Sequence, residues 1–396
     1  MNSKEIFALT DNYVAPTYKR FPVALVRGEG VKVWDAEGHE YLDCLAGIAV
    51  CNLGHCHPRV GAAIVEQATR LMHVSNLYHI EFQSRLAELL CKLTFAEKVF
   101  FCNSGAEANE AAIKLARRYG HEVFGEGAKR IITMHRSFHG RTMATITATG
   151  QKKVQTGYQP LLDGFDYVPF NDVEAVAAAI TEKTCAVLVE PVQGEGGVIL
   201  PAPDYLSRLR ALCDERGILL ILDEVQTGIG RTGAFFAHQH SNIVPDIMTT
   251  AKALGNGFPI GAMLASGRVM SYFGPGTHGS TFGGNPLASA AAYATIEAVR
   301  DEKIVEKTVK NGAFLLAGLN QLKQKFPEII GEIRGLGLMI GVDLKIPVGE
   351  VVSTCLEQRL LVGSAGDNTL RLTPPLIIEE AEIEILLRIL TKVFSA

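Results

Sequence analysis

Residues 218–233 have the sequence ILLILDEVQTGIGRTG, in which an aliphatic run is followed directly by the carboxylate of Asp223. A short run of this kind, bounded by turn-forming residues, predicts a strand that is buried on both faces. A carboxylate at the end of a buried strand is costly unless a cationic group pairs with it. Asp223 is therefore a candidate functional residue, and the alternative is an aspartate that only caps a turn.

The same segment contains glycines with the spacing G-x-G-x-x-G, namely Gly228, Gly230 and Gly233. The dinucleotide-binding fingerprint needs such glycines at the turn between a strand and a helix. Here the residues DEVQT stand between the strand and the first glycine, and no helix-forming run follows the last one. The pattern therefore leaves a nicotinamide-dependent oxidoreductase only as a remote alternative.

Similar short apolar runs lie on both sides of this segment and alternate with helix-like stretches. The alternation predicts an α/β domain around a mainly parallel sheet, in which ligands bind beyond the carboxyl ends of the strands. The predicted strands are residues 98–102, 130–134, 186–189, 218–222 and 246–249, and the predicted helices are residues 106–119, 172–181 and 204–216.

The two ends of the chain have a different pattern. We expect residues 1–55 and 301–396 to form a smaller α+β domain beside a large domain of residues 56–300. The elements predicted there are a hairpin of residues 23–26 and 31–35, a polar helix at 301–326, short strands at 338–344 and 369–372, and an amphipathic helix at 379–394.

The composition excludes several classes of protein. The chain has 396 residues, a formal net charge of −4 and 47% apolar residues. It therefore lacks the basic charge expected of a nucleic-acid partner and the low hydrophobicity of a disordered chain. No apolar run is long enough to cross a bilayer, and the N-terminus has no apolar signal core, so we expect no membrane partner and a cytoplasmic location.

The cysteines and histidines do not form a recognisable framework. The eight cysteines in so long a chain are expected to be free thiols rather than disulfides. The cluster CNLGHCHP at residues 51–58 has no second Cys/His pair at the spacing of a zinc site. We therefore expect no metal.

The first predicted strand of the large domain is followed by Ser104, Gly105 and Ala106, at the start of a predicted helix. Ser104 and Glu107 have the spacing of a capping box. Small side chains leave the first backbone N–H groups open, and the helix dipole favours an anion there, so this turn is a candidate phosphate site. The alternative is an ordinary capped helix.

Three later loops carry further candidates. Phe138 could stack on a flat ring and Arg141 could pair with a carboxylate, although a packed aromatic beside a surface arginine has the same pattern. Glu195 lies in a glycine-rich loop and could be a movable partner for an arginine. Residues 279–286, GSTFGGNP, offer two hydroxyl groups as further phosphate contacts, or form only a loop.

Lys252 follows the last predicted strand of the large domain and stands among small and apolar residues. Burial disfavours the ammonium form and lowers the pKa of a lysine, and Schiff-base chemistry needs a neutral amine. The alternative is a solvated surface lysine. Combined with an aspartate, an aromatic ring and an anion site, however, Lys252 completes the set of groups that pyridoxal 5'-phosphate requires.

In the order and spacing of these segments, the chain resembles the class III, fold-type I pyridoxal-phosphate-dependent aminotransferases over nearly its full length. The resemblance implies a large domain with a mainly parallel seven-stranded sheet flanked by helices, and a smaller α+β domain formed by both chain ends. The segments that carry it are SGAEANEAAIK at 104–114, SFHGRT at 137–142, EPVQGEGG at 190–197, DEVQTGIGRTG at 223–233, Lys252, GSTFGGNP at 279–286, RGLGL at 334–338 and LRLTPP at 370–375.

The resemblance implies a role for each matched residue. Lys252 is expected to bond the cofactor and to move a proton, Asp223 to pair with the pyridine nitrogen, and Phe138 to stack on the ring. Glu195 is expected to pair with Arg371 when an ω-amino donor is bound and to swing away for glutamate. The implied catalytic residues are Lys252 and Asp223; the implied cofactor contacts are Ser104, Gly105, Ala106, Phe138, Asp223, Glu224, Val225, Gln226, Lys252 and Thr281 of a neighbouring subunit; and the implied substrate contacts are Arg141, Glu195, Ser280 and Arg371.

The resemblance also implies the reaction. It is most specific for the members that transfer the δ-amino group of N-acetylornithine to 2-oxoglutarate in two half-reactions, giving N-acetylglutamate 5-semialdehyde and glutamate. Ornithine, 4-aminobutyrate and succinyldiaminopimelate remain alternative amino donors. The expected partners are these small molecules and a second copy of the chain, since Thr281 serves the cofactor only across a homodimer interface.

Overall fold

Strands and helices alternate through the middle of the chain, as the sequence predicts. The structure, a computed structural model, describes residues 1–395. The strands are β1 (Leu25–Glu29), β2 (Lys32–Asp35), β3 (Glu40–Asp43), β4 (Lys98–Cys102), β5 (Arg130–Met134), β6 (Phe165–Val168), β7 (Thr184–Val189), β8 (Leu219–Asp223), β9 (Ile247–Thr250), β10 (Gly261–Ala265), β11 (Ile330–Leu336), β12 (Met339–Leu344), β13 (Leu360–Leu361), β14 (Gly363–Ala365) and β15 (Thr369–Leu372). The α-helices are α1 (Ser3–Tyr13), α2 (Ala46–Ala49), α3 (Pro58–Arg70), α4 (Glu81–Leu93), α5 (Gly105–Phe124), α6 (Met143–Ala148), α7 (Lys152–Gln155), α8 (Val173–Ala179), α9 (Tyr205–Arg216), α10 (Gly267–Met270), α11 (Pro286–Asp301), α12 (Ile304–Lys325), α13 (Val348–Glu357) and α14 (Glu380–Phe394).

A mainly parallel seven-stranded sheet lies at the centre of the fold, in the order β4-β10-β9-β8-β7-β5-β6. Only β10 runs antiparallel to its two neighbours, β4 and β9, while the other pairs are parallel. The predicted fold class is thereby confirmed. The carboxyl ends of β5, β7, β8 and β9 consequently lie at one edge of the sheet, where a ligand site is expected.

The centre of this sheet is buried on both faces. Successive residues of β8 pack into two different cores: Leu219 and Ile221 join the cluster that includes α5, whereas Leu220 and Leu222 join the cluster that includes α9. This alternation follows from the two-residue period of a strand, and it explains why the sequence of β8 is apolar throughout. Each buried side chain stabilises the fold by about 1.5–3 kcal/mol.

The two ends of the chain form two smaller sheets, in the orders β1-β2-β3-β13 and β11-β12-β15-β14. The predicted hairpin is present as the antiparallel pair β1 and β2, and β13 joins the N-terminal sheet by pairing in parallel with β3. The proposed domain boundaries at residues 55 and 300 stay a prediction, and residue 396, which closes the predicted C-terminal part, lies outside the described residues.

One helix begins later in the sequence than predicted. The polar helix expected from residue 301 starts only at Ile304, because Asp301 still belongs to the preceding helix α11. Lys303 separates the two helices in a left-handed conformation with φ 53°. All eight cysteines are free thiols, and none of the helices within residues 1–395 has both the length and the apolarity that a membrane span requires.

Candidate active site

Asp223, at the carboxyl end of β8, is fixed by three hydrogen-bond donors. Its Oδ2 atom accepts a hydrogen bond from Nδ2 of Asn109 at 2.8 Å and lies 2.8 Å from Nδ1 of His139. Its Oδ1 atom accepts a hydrogen bond from the backbone N–H of Val225 at 3.0 Å. The carboxylate is only 4% exposed. Such a set of donors holds a buried carboxylate in one orientation.

Asn109 and His139 are themselves held in place. The hydroxyl group of Thr249 donates to Oδ1 of Asn109 at 2.8 Å, and Nε2 of His139 lies 3.2 Å from Oγ1 of Thr133. Neither Asn109 nor His139 is among the predicted site residues. A signal was available for Asn109, which is a polar residue on the buried, alanine-rich face of α5.

The start of α5 has the geometry of an anion site. Ser104 caps the helix, since its Oγ atom accepts a hydrogen bond from the N–H of Glu107 at 3.2 Å. The Glu107 carboxylate accepts from the N–H of Asn103 rather than from Ser104, so the capping box predicted at this position is only half formed. The first amides of the helix have no acceptor within the helix and are therefore open to an anion.

Gly105 is required at this turn by the proximity of Val225. A Cβ atom on Gly105 would lie 2.7 Å from Cγ1 and 2.9 Å from Cγ2 of Val225. The segment that follows β5 approaches the same turn, because a Cβ atom on Gly140 would lie 2.8 Å from Cβ of Ala106. Gly140 has φ 137°, a conformation that favours glycine. The structure thus brings together the loops that follow β4, β5 and β8.

Phe138 lies half-buried beside these loops and is held through its backbone. Its N–H group donates to Oε2 of Glu190 at 3.0 Å, and the Arg141 guanidinium lies 5.6 Å from the centre of its ring. Burial, with the nearby negative charge of Asp223, raises the pKa of Glu190 well above its ordinary value. Glu190 therefore anchors the aromatic segment through its buried carboxyl group.

Lys252 stands directly beyond β9 in a strained conformation. It opens a short 3₁₀-helix, Lys252–Gly255, with φ 38°. Burial lowers the pKa of its amine, and the charges of Glu195 and Arg371 act on it in opposite directions, the first raising and the second lowering it. Strained backbone of this kind is concentrated at functional sites, and the lowered pKa makes the neutral amine more accessible.

Arg371 and Glu195 form an ion pair at the rim of the same region. The guanidinium of Arg371 is 3% exposed and donates to Oε1 of Glu195, and its NH1 atom also lies 3.4 Å from Oε1 of Gln226. Burial alone would raise the pKa of Glu195, but the charge of Arg371 and its hydrogen bond lower it overall. The Nε atom of Arg371 is buried without a partner among the described residues, so Arg371 has donor capacity left for a ligand.

Three further predicted site residues, Glu224, Ser280 and Thr281, have neighbours of their own. The carboxylate of Glu224 is fully buried and is occupied by Thr227 and by the N–H groups of Ala237 and His238. Ser280 and Thr281 border a crevice of about 310 Å³ with Asn103, whose Nδ2 atom donates to Oγ of Ser280 at 3.3 Å. Glu107, in the first turn of α5, lines the same crevice.

The glycine-rich segment after Asp223 contains Arg231, whose side chain has a structural role. This guanidinium is fully buried; it donates to the carbonyls of Leu338 at 2.9 Å and Pro374 at 2.6 Å and to Oδ1 of Asn52 at 2.6 Å. Burial lowers its pKa to about 9. The segment thus joins three distant parts of the chain.

The Cys/His cluster at residues 51–58 also has a structural role. Nε2 of His55 lies 2.7 Å from Oδ2 of Asp43, an interaction that raises the pKa of His55 to about 10. His57 instead pairs with Glu302 at 3.2 Å. The two histidines therefore face different carboxylates.

Comparison with known proteins gives a consistent result. The family model of the class-III aminotransferases matches residues 13–394. The chain is 52% identical to the acetylornithine aminotransferase of Nitrosomonas europaea, over 94% of this chain and 95% of that protein. The solved structure of the acetylornithine aminotransferase from Elizabethkingia anophelis is 36% identical, with a TM-score of 0.90 over 100% of this chain and 99% of that chain. An ornithine aminotransferase from Toxoplasma gondii, with partial occupancy of PLP at its active site, is 36% identical, with a TM-score of 0.94 over 99% and 94% of the two chains.

Proposed function

This chain belongs to the class III aminotransferases, and on that premise we propose that it is an acetylornithine aminotransferase. It transfers the δ-amino group of N2-acetyl-L-ornithine to 2-oxoglutarate, and it releases N-acetyl-L-glutamate 5-semialdehyde and L-glutamate. The observation that carries this proposal is the ion pair of Glu195 with Arg371. One site must accept two substrates, of which glutamate presents a carboxylate to Arg371 and N-acetylornithine does not. The N-acetylornithine substrate class is further supported by the 52% identity to a bacterial acetylornithine aminotransferase.

The residues present fit the cofactor of the family, pyridoxal 5'-phosphate. The first turn of α5 offers free amides to a phosphate, and the close contact of Gly105 with Val225 shapes a cradle that a Cβ atom would fill. The buried carboxylate of Asp223 suits a protonated pyridine nitrogen. When bound, the cofactor supplies a carbonyl carbon that takes the amino group and a ring that accepts an electron pair.

The protein's part in the chemistry is to hold charges and to move a proton. Asp223, fixed by Asn109 and His139, would keep the ring nitrogen protonated through charge pairing. Lys252 would hold the cofactor through its amine and would carry a proton at the reacting carbon of the substrate. A lowered pKa suits this task, because a general base works best when its pKa lies near the working pH.

The two substrates would be distinguished at Arg371. With N-acetylornithine bound by its δ-amino group, Glu195 stays on Arg371 and neutralises a charge that has no partner in that substrate. With glutamate or 2-oxoglutarate, the α-carboxylate replaces Glu195 and pairs with the guanidinium in bidentate geometry. We place Arg141 and Ser280 at the acylated end of the amino donor.

We further propose a homodimer with the active site at the subunit boundary. Thr281 lies next to Phe282, which is 59% exposed, and the carbonyl of Ser280 accepts a hydrogen bond from Asn76, whose chain neighbour Leu77 is 87% exposed. This surface is ordered, because Asn76 donates to the carbonyl of Gly283 at 3.0 Å. Exposed apolar side chains of this size support a protein–protein contact here, and the contact would carry Thr281 to the phosphate of the neighbouring subunit.

The second candidate is an ornithine aminotransferase, favoured by the close structural match to the Toxoplasma gondii enzyme. The deciding experiment measures kcat/KM of the purified holoenzyme for N-acetylornithine, free ornithine, 4-aminobutyrate and succinyldiaminopimelate, with 2-oxoglutarate as acceptor. We expect N-acetylornithine to have the highest value. A higher value for free ornithine or 4-aminobutyrate would overturn the proposal.

A further inference from the structure

The loop that carries Glu195 has a clamped backbone, although its composition suggests a flexible one. Four successive backbone carbonyls, at residues 195–198, each accept a hydrogen bond from a donor outside the loop. The four bonds are from N–H of Gly366 to Glu195 at 2.8 Å, from NH2 of Arg136 to Gly196 at 2.8 Å, from NH2 of Arg334 to Gly197 at 2.5 Å and from Nε of Arg334 to Val198 at 2.9 Å.

Arg334 supplies two of these bonds and is itself held rigidly. Its guanidinium pairs in bidentate fashion with Asp343, at 2.6 Å and 2.9 Å. Asp343 also accepts a hydrogen bond from Oγ1 of Thr369 at 2.6 Å. Because Thr369 and Arg371 lie two residues apart on β15, they share one face of the strand. Arg334 therefore ties the backbone that carries Glu195 to the strand that carries Arg371.

The loop backbone also packs closely against two other segments of the chain. A Cβ atom on Gly366 would lie 2.8 Å from the carbonyl oxygen of Gly196, and one on Gly196 would lie 2.8 Å from the carbonyl oxygen of Arg136. Arg136 holds this position in a left-handed conformation with φ 65°. With its backbone held in this way, we expect Glu195 to leave Arg371 by rotation of its side chain.

We propose that Arg334 is a positioning and specificity-determining residue, which holds the loop so that Glu195 pairs with Arg371 at little entropic cost. The inference rests on the proposed function, in which this pair must close for the ω-amino donor and open for glutamate. A loop freed from Arg334 loses conformational entropy each time the pair closes. Loss of Arg334 therefore weakens the closed state and disfavours the ω-amino donor, while the carboxylate of glutamate still finds Arg371.

The main test compares the Arg334→Gln holoenzyme with wild type in the two half-reactions. We expect KM for N-acetylornithine to rise about tenfold, which corresponds to about 1.4 kcal/mol, with KM for glutamate unchanged or lower and kcat nearly constant. Arg334→Lys, which keeps a charge for Asp343, should recover part of the effect. Arg216→Gln, which alters an exposed arginine at the end of α9, is the matched control. Equal changes in both values of KM would overturn the proposal.

Two further measurements separate this inference from the proposed function. Hydrogen exchange of the peptide that covers residues 193–199 should accelerate in Arg334→Gln, whichever donor the wild-type enzyme prefers, and an unchanged exchange rate would refute the clamp. In a Glu195→Gln background, Arg334→Gln should cause no further change in the ratio of the two KM values, because the pair through which it acts is absent. If Arg334→Gln does not fold, Arg136→Gln, which removes one bond from a half-exposed side chain, should give a smaller shift in the same direction.

Discussion

Nδ1 of His139 and Oδ2 of Asp223 lie 2.8 Å apart, and both residues are almost completely buried. The same carboxylate oxygen accepts a hydrogen bond from Asn109. Oδ2 therefore has two side-chain partners, which fix the plane of the carboxyl group, whereas Oδ1 accepts a hydrogen bond only from the N–H group of Val225. Asp223 is therefore oriented by its surroundings before any ligand binds, which is the preorganisation that electrostatic catalysis needs.

The first prediction concerns Asn109. Asn109→Ala removes a hydrogen bond to a charged group, a contribution of about 1.5–3 kcal/mol, and frees the carboxylate to rotate. We expect kcat to fall about tenfold or more with little change in either KM, measured by steady-state kinetics. Asn320→Ala is the control, since Asn320 is exposed on α12 and bonds only the carbonyl of Leu316. An unchanged kcat in Asn109→Ala would contradict the role assigned to this contact.

The second prediction concerns the cradle at the start of α5. Gly105→Ala places a Cβ atom 2.7 Å from Val225, so the first amides of the helix must shift away from a bound phosphate. We expect the Kd of the apoprotein for pyridoxal phosphate to rise about tenfold or more, as measured by fluorescence titration. The double variant Gly105→Ala/Val225→Ala should recover most of the affinity, because the smaller side chain makes room.

Gly61→Ala is the matched control for this substitution. A Cβ atom on Gly61, inside helix α3, meets nothing within 4 Å. It should leave cofactor affinity unchanged and raise the free energy of unfolding by about 0.5–1 kcal/mol, since alanine loses less conformational entropy on folding than glycine. If Gly105→Ala behaved in the same way as Gly61→Ala, the first turn of α5 would not be the phosphate site.

The third prediction concerns the amine of Lys252. Burial lowers its pKa from the ordinary value of 10.5, Glu195 raises it and Arg371 lowers it. Only the neutral amine attacks a carbonyl, so the rate at which the apoprotein takes up the cofactor should rise with pH, with a midpoint below 10.5. Glu195→Gln removes a negative charge and should move this midpoint down, whereas Arg371→Gln removes a positive charge and should move it up. Stopped-flow absorbance over a pH series measures the midpoint, and shifts of equal sign would refute this account.

The strands that hold the site were predictable because their sequences are continuous and apolar. The run that ends at Asp223 packs into cores on both faces, and a short, uninterrupted aliphatic run is typical of a strand in that position. Strand β10 was not predicted, since its sequence GAMLA consists mostly of small residues that also suit helices and turns. Its antiparallel direction depends on how the chain connects β9 to β10, and no local sequence pattern indicates that connection.

The candidate site was predictable to the extent that its residues follow strand ends. Asp223 ends one strand, and Lys252 and Phe138 follow two others; the carboxyl ends of these strands meet at one edge, so their proximity follows from topology. The orientation of Glu224 could not be predicted, because it depends on the N–H groups of Ala237 and His238, at the start of a 3₁₀-helix later in the chain. The clamp on residues 195–198 likewise depends on donors that are far apart in sequence.

The last prediction tests the position of Thr281. If Thr281 contacts the phosphate of the neighbouring subunit, Thr281→Asp places a carboxylate beside that phosphate, and like-charge repulsion should abolish activity. Lys252→Ala should abolish activity as well, together with the visible absorbance band of the bound cofactor. In a symmetric dimer that is assembled from both variants, one of the two sites contains neither substitution. Random reassembly of equal amounts should therefore restore roughly a quarter of the wild-type activity. The control is a mixture of Lys252→Ala with Asp223→Ala. Because Lys252 and Asp223 of one site come from the same chain, every site in the mixed dimer contains one of the two substitutions, and the mixture should stay inactive. Full activity of Thr281→Asp alone, or no recovery in the first mixture, would place Thr281 outside the active site.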